Sequence, residues 1–348
     1  MIRKGPADAA DPSPAQAGPP ISSRFRRAPL IRIRRWLPVV LALAAAPASA
    51  AAPPRIADLW YAHNASVIML GAADRIAVTV DSPQQQPWMY RIAPVLHRAQ
   101  VVQAEPANAE ALLAAGVGLA FVGRPAEAER LTRLGVPAKG LGFTDLASMR
   151  VSLQGTADAL GTPLAQARLR AYDAYLDGVL ARLKRGLQGV PPEARPRVLH
   201  IASLSPLRAD GAGSLIDEWI TLAGGRNVAA ELHGTLQPVS IEQIARWNPD
   251  VIIVGGQDAR PEDNPLAIVP ALKGRRLVRN PSGVYQWDRH GPEAALQLLW
   301  AARLLHPAQF ADVDMTRETQ SFFRRFFGYA LTADETARIL AAAPPPGG

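Results

Sequence analysis

The sequence predicts an α/β protein of two Rossmann-like lobes, joined by a long rigid helix and enclosing a ligand cleft. Strand-like apolar runs alternate with helical patterns over residues 54–155, the N-terminal lobe, and over residues 196–345, the C-terminal lobe. This alternation is typical of parallel or mostly parallel sheets. Residues 156–190 between the lobes have a helical pattern. The length of 348 residues suits roughly two domains.

The first lobe shows the alternation in eight successive runs. In chain order they are RIADLW, ASVIMLGAA, RIAVTV, AQVVQ, ANAEALLAAG, VGLAFVG, AEAERLTRLG and VPAKGLGF. Strand-like runs and helical patterns follow one another, which predicts a βα chain. The loops after its strands are WYAHN, DSPQQQPWMYR and GRP, and they should line one wall of the cleft.

The connecting helix is predicted from the spacing of its apolar residues. They recur at helical intervals over about seven turns, which gives the helix one apolar face. The residues of that face are Leu169, Tyr172, Leu176, Val179, Leu180 and Leu183.

The second lobe restarts the alternation after GVPPEARP. Its runs are RVLHIA, GSLIDEWITLAGG, IEQIARW, DVIIV, RLVRN, PEAALQLLWAARLL and TRETQSFFRRFFG. The four apolar residues of DVIIV lie between turn signals, which is typical of a strand covered on both faces. It opens into a polar loop that contains Gln257, Asp258 and Arg260. Ligands collect at the carboxyl ends of such strands, so this loop is a candidate second wall of the cleft.

Residues 1–50 form a basic leader with a secretory signal. Six arginines between Arg24 and Arg35 precede the segment WLPVVLALAAAPASA, which ends in a small-residue cleavage motif at Ala48 and Ala50. Its apolar core is shorter than the roughly 20 residues of a membrane helix. We expect cleavage before Ala51 and export to the periplasm.

Charge and cysteine content exclude several function classes. The net charge of +8 comes mainly from the leader, which has a surplus of six basic residues and leaves +2 for residues 51–348. This remainder lacks the basic footprint of a nucleic-acid-binding protein. The absence of cysteine excludes disulfides, thiolate chemistry and lipid attachment after the signal.

The loops at the cleft are rich in aromatic rings and guanidinium groups. Such a combination suits a flat, partly apolar, anionic ligand, because rings stack and arginine forms charge-assisted hydrogen bonds. The candidate ligand-binding residues are Trp60, Tyr61, His63, Trp88, Tyr90, Arg91, Arg124, Arg208, Gln257, Arg260, Tyr285, Trp287 and Arg289.

Several of these residues have two interpretations. His63 is either a metal or haem ligand or a residue that caps the next helix or packs in the cleft wall. Trp88 and Trp287 lie in polar, proline-bearing loops, where a ligand-facing role is favoured over burial. Arg208 faces the cleft or pairs with Asp210. Of the residues outside this set, Trp219 and Trp300 should be core, and His290 should serve to position its loop.

Five segments together resemble the class III periplasmic binding proteins of iron–siderophore, haem and cobalamin ABC importers. They are MLGAADRIAVTV, ANAEALLAAGVGLAFV, GSLIDEWITLAGGRNV, IEQIARWNPDVIIVGG and WDRHGPEAALQLLWAARLLHPAQFADVD. The resemblance covers residues 55–341. It implies two lobes, a rigid connecting helix, a shallow cleft and delivery to an inner-membrane permease dimer. It also implies that Glu110 in ANAEALL and Glu242 in VSIEQIA dock onto the two permease subunits.

The resemblance implies a monomer without a cofactor of its own, whose ligand is a metal chelate. A ferric siderophore fits the arginines best, since its metal is already satisfied and needs only outer-sphere contacts. Haem, cobalamin and a small metal chelate are alternatives. The rival from another class is a periplasmic chelate-modifying enzyme. No nucleophile elbow, phosphate loop, zinc motif or dinucleotide fingerprint is found, and the acidic pair Asp258 and Glu262 is a weak catalytic candidate.

Overall fold

Five parallel strands form the sheet of the first lobe. The computed structural model describes residues 53–103, 106–255 and 274–347. The strands pair in the order β3-β2-β1-β4-β5, so that β1 is central. Their bounds are β1 Arg55–Asp58, β2 Ile76–Thr79, β3 Gln100–Val101, β4 Val117–Val122 and β5 Ala138–Gly140.

Five helices of the first half of the chain pack around this sheet. The longest is α5, which starts with a capping box between Asp145 and Ser148 and ends at Gly161, in the left-handed conformation with φ 66°. Their bounds are α1 Asn64–Met69, α2 Pro87–Ile92, α3 Ala109–Ala114, α4 Pro125–Arg133 and α5 Leu146–Leu160.

The predicted connecting helix is two helices in the structure. Gly161 ends α5, and α6 then runs over Pro163–Gly186 with Thr162 as its N-cap and proline in its first turn. The prediction of a single helix over 156–190 is therefore wrong at its start, because residues 156–160 belong to α5. The apolar face is as predicted: five of the six residues are buried, and Leu180 is partly buried.

The sheet of the second lobe is mixed. Strands β10, β6, β8 and β11 are parallel, whereas β7 pairs antiparallel with both β6 and β9. The prediction of a mostly parallel sheet missed this pair, because only Ser205 and Pro206 separate β6 from β7 and a parallel crossover needs a dozen or more residues. The bounds are β6 Arg197–Leu204, β7 Leu207–Ala209, β8 Arg226–Asn227, β9 Gln237–Pro238, β10 Val251–Val254 and β11 Arg276–Arg279.

Both strands and helices of the second half supply buried side chains. The predicted strand β10 is entirely buried, and Trp219 is buried as expected, whereas Trp300 is only partly buried. None of the helices in the described residues is both long enough and apolar enough to span a bilayer. The bounds are α7 Leu215–Leu222, α8 Ile241–Trp247, α9 Ala294–Leu305, α10 Met315–Phe322 and α11 Ala333–Leu340.

Hydrogen bonds tie the two halves together. The Tyr172 hydroxyl of α6 donates to the Pro292 carbonyl before α9, at 2.9 Å. The Leu146 amide at the start of α5 donates to the Glu218 carboxylate of α7, at 2.7 Å. This second bond caps a first-lobe helix with a second-lobe acid, where the helix dipole favours negative charge.

Candidate functional site

An open cavity of about 1040 Å³ lies between the lobes and has two aromatic residues of the β1 loop in its wall. Ligands bind at the carboxyl ends of parallel strands, and the loops after β1, β4 and β5 supply most of this lining. The second lobe contributes His290. The lining residues are Leu59, Trp60, Tyr61, Gln103, Gly123, Arg124, Gly142, Phe143, Thr144, Ser148 and His290.

Two glycines allow the β4 and β5 loops to approach closely beside the cavity. A Cβ on Gly142 would lie 2.2 Å from the Gly123 carbonyl oxygen, which accepts the Gly142 amide at 2.9 Å. A Cβ on Gly123 would lie 3.2 Å from the Trp60 ring. The close approach of the two loops therefore requires glycine at position 142, whereas a side chain at position 123 would press against the Trp60 ring.

Aromatic rings from both lobes meet at the cavity. The Trp60 ring centroid is 5.3 Å from that of Phe143 and 5.8 Å from that of His290. Phe143 and His290 are 5.2 Å apart in an edge arrangement. These separations are within the range of favourable ring pairs, so the three rings support one another.

His290 presents a neutral imidazole to the cavity. Burial, followed by the positive charge of Arg289, lowers the pKa of His290 to about 4. In the part of the chain that the structure describes, its ring nitrogens have no hydrogen-bond partner. His290 thus offers both a donor and an acceptor to a bound molecule.

A buried charge cluster, made of His200, Asp210, Asp288 and Arg289, lies behind His290. The His200 Nδ1 and Nε2 atoms are each 2.8 Å from a carboxylate oxygen, of Asp210 and Asp288 respectively. Arg289 is 3.3 Å from Asp210 and 3.9 Å from Asp288. The Arg289 charge is therefore balanced within the cluster and is not available to a ligand.

A second polar network lies under the first-lobe wall. His63 contacts the Asp58 carboxylate with Nδ1 at 2.9 Å and the Thr156 hydroxyl with Nε2 at 2.8 Å. The Asn64 amide donates to Asp81 at 2.7 Å. Burial, and then the charge of Asp58, raise the pKa of Asp81 to about 8.

His63 is not placed to bind metal or haem. It is buried, both ring nitrogens are engaged, and it is absent from the cavity lining. It occupies the N-cap position of α1 but its side chain makes no cap hydrogen bond. No group of three or more histidine, aspartate or glutamate residues suited to a metal ion occurs in ranges 53–103, 106–255 and 274–347.

Three predicted aromatic contacts are core residues instead. Trp88 is buried and donates to the Ala343 carbonyl, and Tyr90 is buried and donates to the Asp81 carbonyl. Trp287 is fully buried and donates to the Glu293 carboxylate. The expectation of ligand-facing rings was wrong because each side chain finds an internal acceptor, so a polar loop sequence does not keep it exposed.

The predicted arginines largely lie elsewhere. Arg91 pairs with Glu335 of α11 at 3.0 Å, and Arg208 donates to the Leu236 carbonyl rather than pairing with Asp210. Arg124 is exposed at the cavity. Tyr285 is partly buried behind the lining, in the segment that leads to His290. Gln257, Asp258, Arg260 and Glu262 lie outside the described residues.

The structure thus retains Trp60, Tyr61 and Arg124 from the predicted set and adds residues that the sequence argument did not select. Phe143, Thr144 and Ser148 follow β5. Phe143 ends the run VPAKGLGF and the other two come after it, and this position was the available signal. His290 was assigned only a positioning role. Among described arginines only Arg124 lines the cavity, so the site is less positive than predicted.

Glu110 and Glu242 are both exposed. Each lies in the first turn of a short helix, α3 and α8 respectively, one in each lobe. A hydrogen bond from the helix-start backbone, and then one from the Ser240 hydroxyl, lower the pKa of Glu242. This position is favourable for a carboxylate on helix-dipole grounds alone.

Comparisons with known proteins are consistent with this fold. Residues 125–280 match the family model described as periplasmic binding protein. The molybdate-binding protein MolA of Haemophilus influenzae is 32% identical over 136 residues, which cover 37% of this chain and 38% of that protein. The match therefore spans well under half of that relative.

Solved structures share the fold over most of the chain. A periplasmic solute binding protein of Veillonella parvula has a TM-score of 0.71 at 24% identity, covering 83% of this chain and 92% of that one. MolA with bound molybdate has 0.70 at 22%, covering 80% and 94%. Helicobacter pylori CeuE with Ni(II) has 0.65 at 20%, covering 83% and 95%. At these identities the likeness concerns the fold.

Proposed function

We propose that this chain, which carries a domain of the periplasmic binding protein family, is an extracytoplasmic solute-binding protein of an ABC importer. The single observation that carries the proposal is the cavity between the lobes, with Trp60 and Arg124 from one side and His290 from the other. A concave, largely apolar site with a few convergent polar groups is typical of small-molecule binding.

The polar side chains at the cavity support capture rather than turnover. Ser148, the serine of the lining, belongs to the capping box of α5 and donates to the Asp145 carboxylate. Asp145 accepts this hydroxyl and the Ser148 amide, so the pair stabilises a helix start. Arg124, His290 and Thr144 are suited to hydrogen bonding with a solute. A chelate-modifying enzyme is therefore the less favoured hypothesis.

The solute we favour is an anionic metal chelate of the ferric-siderophore type. The volume of about 1040 Å³ and the rings of Trp60 and Tyr61 suit a ligand with flat apolar groups. Arg124 suits an anionic group on it. Because the buried charge cluster neutralises Arg289, a chelate of low net charge fits better than a highly charged one. Haem and cobalamin are alternatives of the same kind.

A tetrahedral oxyanion is the second candidate. It is favoured by the relative, at 32% identity over 136 residues, that is named as a molybdate-binding protein. The neutral donors around the cavity, which include the hydroxyls of Tyr61 and Thr144, suit such an anion. The size of the cavity is the argument against it.

The proposal also covers export, oligomeric state and docking onto the permease. The leader at residues 1–50 directs export to the periplasm, where the mature chain works as a monomer. Glu110 and Glu242, exposed on the two lobes, dock onto the two permease subunits. Exposed ion pairs suit an interface that forms and releases in each transport cycle.

The test uses protein isolated without refolding from the native periplasm, with its metal content and absorption spectrum measured. Iron with a ligand-to-metal charge-transfer band supports the favoured solute, molybdenum supports the oxyanion, and a Soret band indicates haem. Uptake is measured in parallel in cells that lack the gene. Metal-free protein together with unchanged uptake of all three solutes would contradict the proposal.

A further inference from the structure

We infer that His200, Asp210 and Asp288 are positioning residues for solute binding. With Arg289 they form a charge-balanced anchor that fixes the loop presenting His290 to the cavity. The part of this inference that concerns affinity rests on the proposed function. The part that concerns the loop is independent of any solute.

The contacts of His200 favour the imidazolium form of its ring. Both ring nitrogens lie 2.8 Å from carboxylate oxygens, one of Asp210 and one of Asp288. A neutral imidazole has a single N–H, so its second nitrogen would direct a lone pair at a carboxylate. Burial alone would lower the pKa of His200, but the bonds to the two acids outweigh it and raise that pKa.

With His200 as an imidazolium, the cluster contains two cations and two anions, so its charges cancel. Asp210 also accepts the Leu236 amide at 2.9 Å, and Arg289 completes the set from the loop side. Isolated charges in a protein interior are costly, whereas a hydrogen-bonded and balanced group is tolerated. The four residues therefore hold one another in place, and losing any one leaves an unpaired buried charge.

The acidic residues of the neighbouring helix α7 are engaged elsewhere. Asp217 accepts from the Asn227 amide, and Glu218 accepts from the Leu146 backbone. The contact of α7 with His200 is the Trp219 ring, at 5.9 Å between centroids. Within the described ranges, the charged groups that contact His200 are thus Asp210 and Asp288, with Arg289 next to both.

The end of β10 packs closely against the anchor. Gly255 at the end of β10 covers it, and a Cβ there would lie 2.2 Å from an Asp288 oxygen and 2.7 Å from His200 Nε2. The ring is therefore confined between the strand end and the loop. His200 pairs with Ile253, next to the carboxyl end of β10, where a ligand wall is built in such sheets.

A second buried acid, Glu293, also fixes the loop that contains His290. The buried Glu293 carboxylate accepts the amides of Val284 and Tyr285 and the indole N–H of Trp287. His290 lies between this acid and Asp288 in sequence, and its ring contacts Trp60 and Phe143 of the first lobe. Two buried acids thus fix the loop while one side chain reaches the cavity.

Stability alone does not account for the cluster. Replacing a buried ion network by apolar residues of similar volume is often neutral or stabilising, so such a network is weak evidence for a stabilising role. Positioning a side chain that lines the cavity, at the adjacent strand ends, is a separate role for such a network. We therefore expect the environment of the His290 ring to change when the anchor is altered.

The test compares Asp288→Asn with the wild type and with Asp250→Asn. Asp250 pairs with Arg197 at the opposite end of the same strands and is more exposed than Asp288, so its change removes the same charge from the same sheet and leaves the cavity untouched. Histidine side chains are labelled with ¹⁵N, and their ring resonances are recorded without solute. We expect His200 to be doubly protonated at neutral pH in the wild type, and the His290 resonances to shift in Asp288→Asn but not in Asp250→Asn.

Affinity is then measured with two probes, the ferric complex of catechol and sodium molybdate. For whichever probe the wild type binds, Asp288→Asn should weaken binding about tenfold, whereas Asp250→Asn should stay within about twofold. If neither probe binds, the proposed function is in question, and the spectra alone decide the inference. A neutral His200 in the wild type overturns it without any variant. Unshifted His290 resonances in folded Asp288→Asn, or in Asp210→Asn if the first variant does not fold, overturn it as well.

Discussion

Trp60 and His290 approach each other from opposite lobes, with ring centroids 5.8 Å apart. Trp60 follows the central strand of the first sheet, and His290 belongs to the loop before α9 of the second lobe. Their contact lies in the cavity lining, so a solute that enters the cavity meets both rings. Binding energy in this protein should therefore depend on residues that belong to different lobes.

Trp60→Ala should weaken solute affinity by roughly 1–3 kcal/mol, the range for an aromatic anchor in a binding site. Titration of the bound solute against each variant measures this. Trp247→Ala is the matched control, since its indole is remote from the cavity and donates to Glu231. Equal losses in both variants would show that the Trp60 effect is not a contact with solute.

Asp81→Asn should change how stability depends on pH. Because the pKa of Asp81 is raised to about 8 from 3.8, between these values the folded state holds a proton that the unfolded state has lost. The unfolding free energy should therefore fall with rising pH, by at most about 1.4 kcal/mol per unit from this group. The variant amide still accepts from Asn64, so we expect it to match the wild type near pH 4 and exceed it at pH 8.

Urea unfolding at a series of pH values measures this difference. Asp74→Asn is the control, because Asp74 is exposed on the same lobe. Parallel stability curves for the wild type and Asp81→Asn would contradict the buried-proton assignment.

Two glycine substitutions should change the unfolding free energy in opposite directions. Gly178 lies exposed within α6 with no atom near its Cβ direction, so Gly178→Ala should raise the unfolding free energy by about 0.5–1 kcal/mol. Gly142→Ala should lower it by roughly 1–3 kcal/mol, because the new methyl meets the Gly123 carbonyl at 2.2 Å. Thermal unfolding of both proteins checks the pair, and a Gly142→Ala protein as stable as the wild type would refute the close approach of the two loops.

Glu110→Ala combined with Glu242→Ala should leave solute affinity and stability nearly unchanged and sharply reduce uptake. Both side chains are exposed, so their loss should affect the permease contact rather than the fold. ATPase stimulation of the reconstituted importer is the direct measurement. The control removes two other exposed acids, Glu129 and Glu193, with the same change in charge. Normal transport by the first variant would exclude the docking assignment.

The spacing of apolar residues predicted the fold well wherever one repeating pattern extends over a whole helix or strand. The buried strand β10 and the apolar face of α6 follow from local spacing alone. The break at Gly161 and the antiparallel β7 were missed, because each depends on a single turn rather than on a repeating pattern. The predicted α/β class with two lobes is nevertheless the observed one.

The site was predicted less well because polarity of a loop does not say where a side chain points. Trp60, Tyr61 and Arg124 follow strands directly, and strand topology suffices to place them at the cavity. Trp88 and Trp287 found internal acceptors, and Arg289 found two buried acids from distant segments. Pairings of this kind join residues far apart in sequence, and no local pattern indicates them.

The most direct test of the account is calorimetric titration of residues 51–348 with the ferric catechol complex, haem and molybdate, each with and without the double change Trp60→Ala and His290→Ala. We expect the wild type to bind one of these solutes in a one-to-one ratio and the double variant to lose most of this affinity. One-to-one binding with equal affinity in both proteins would contradict the assignment of the cavity, and binding of none of the three would contradict the proposed solute class.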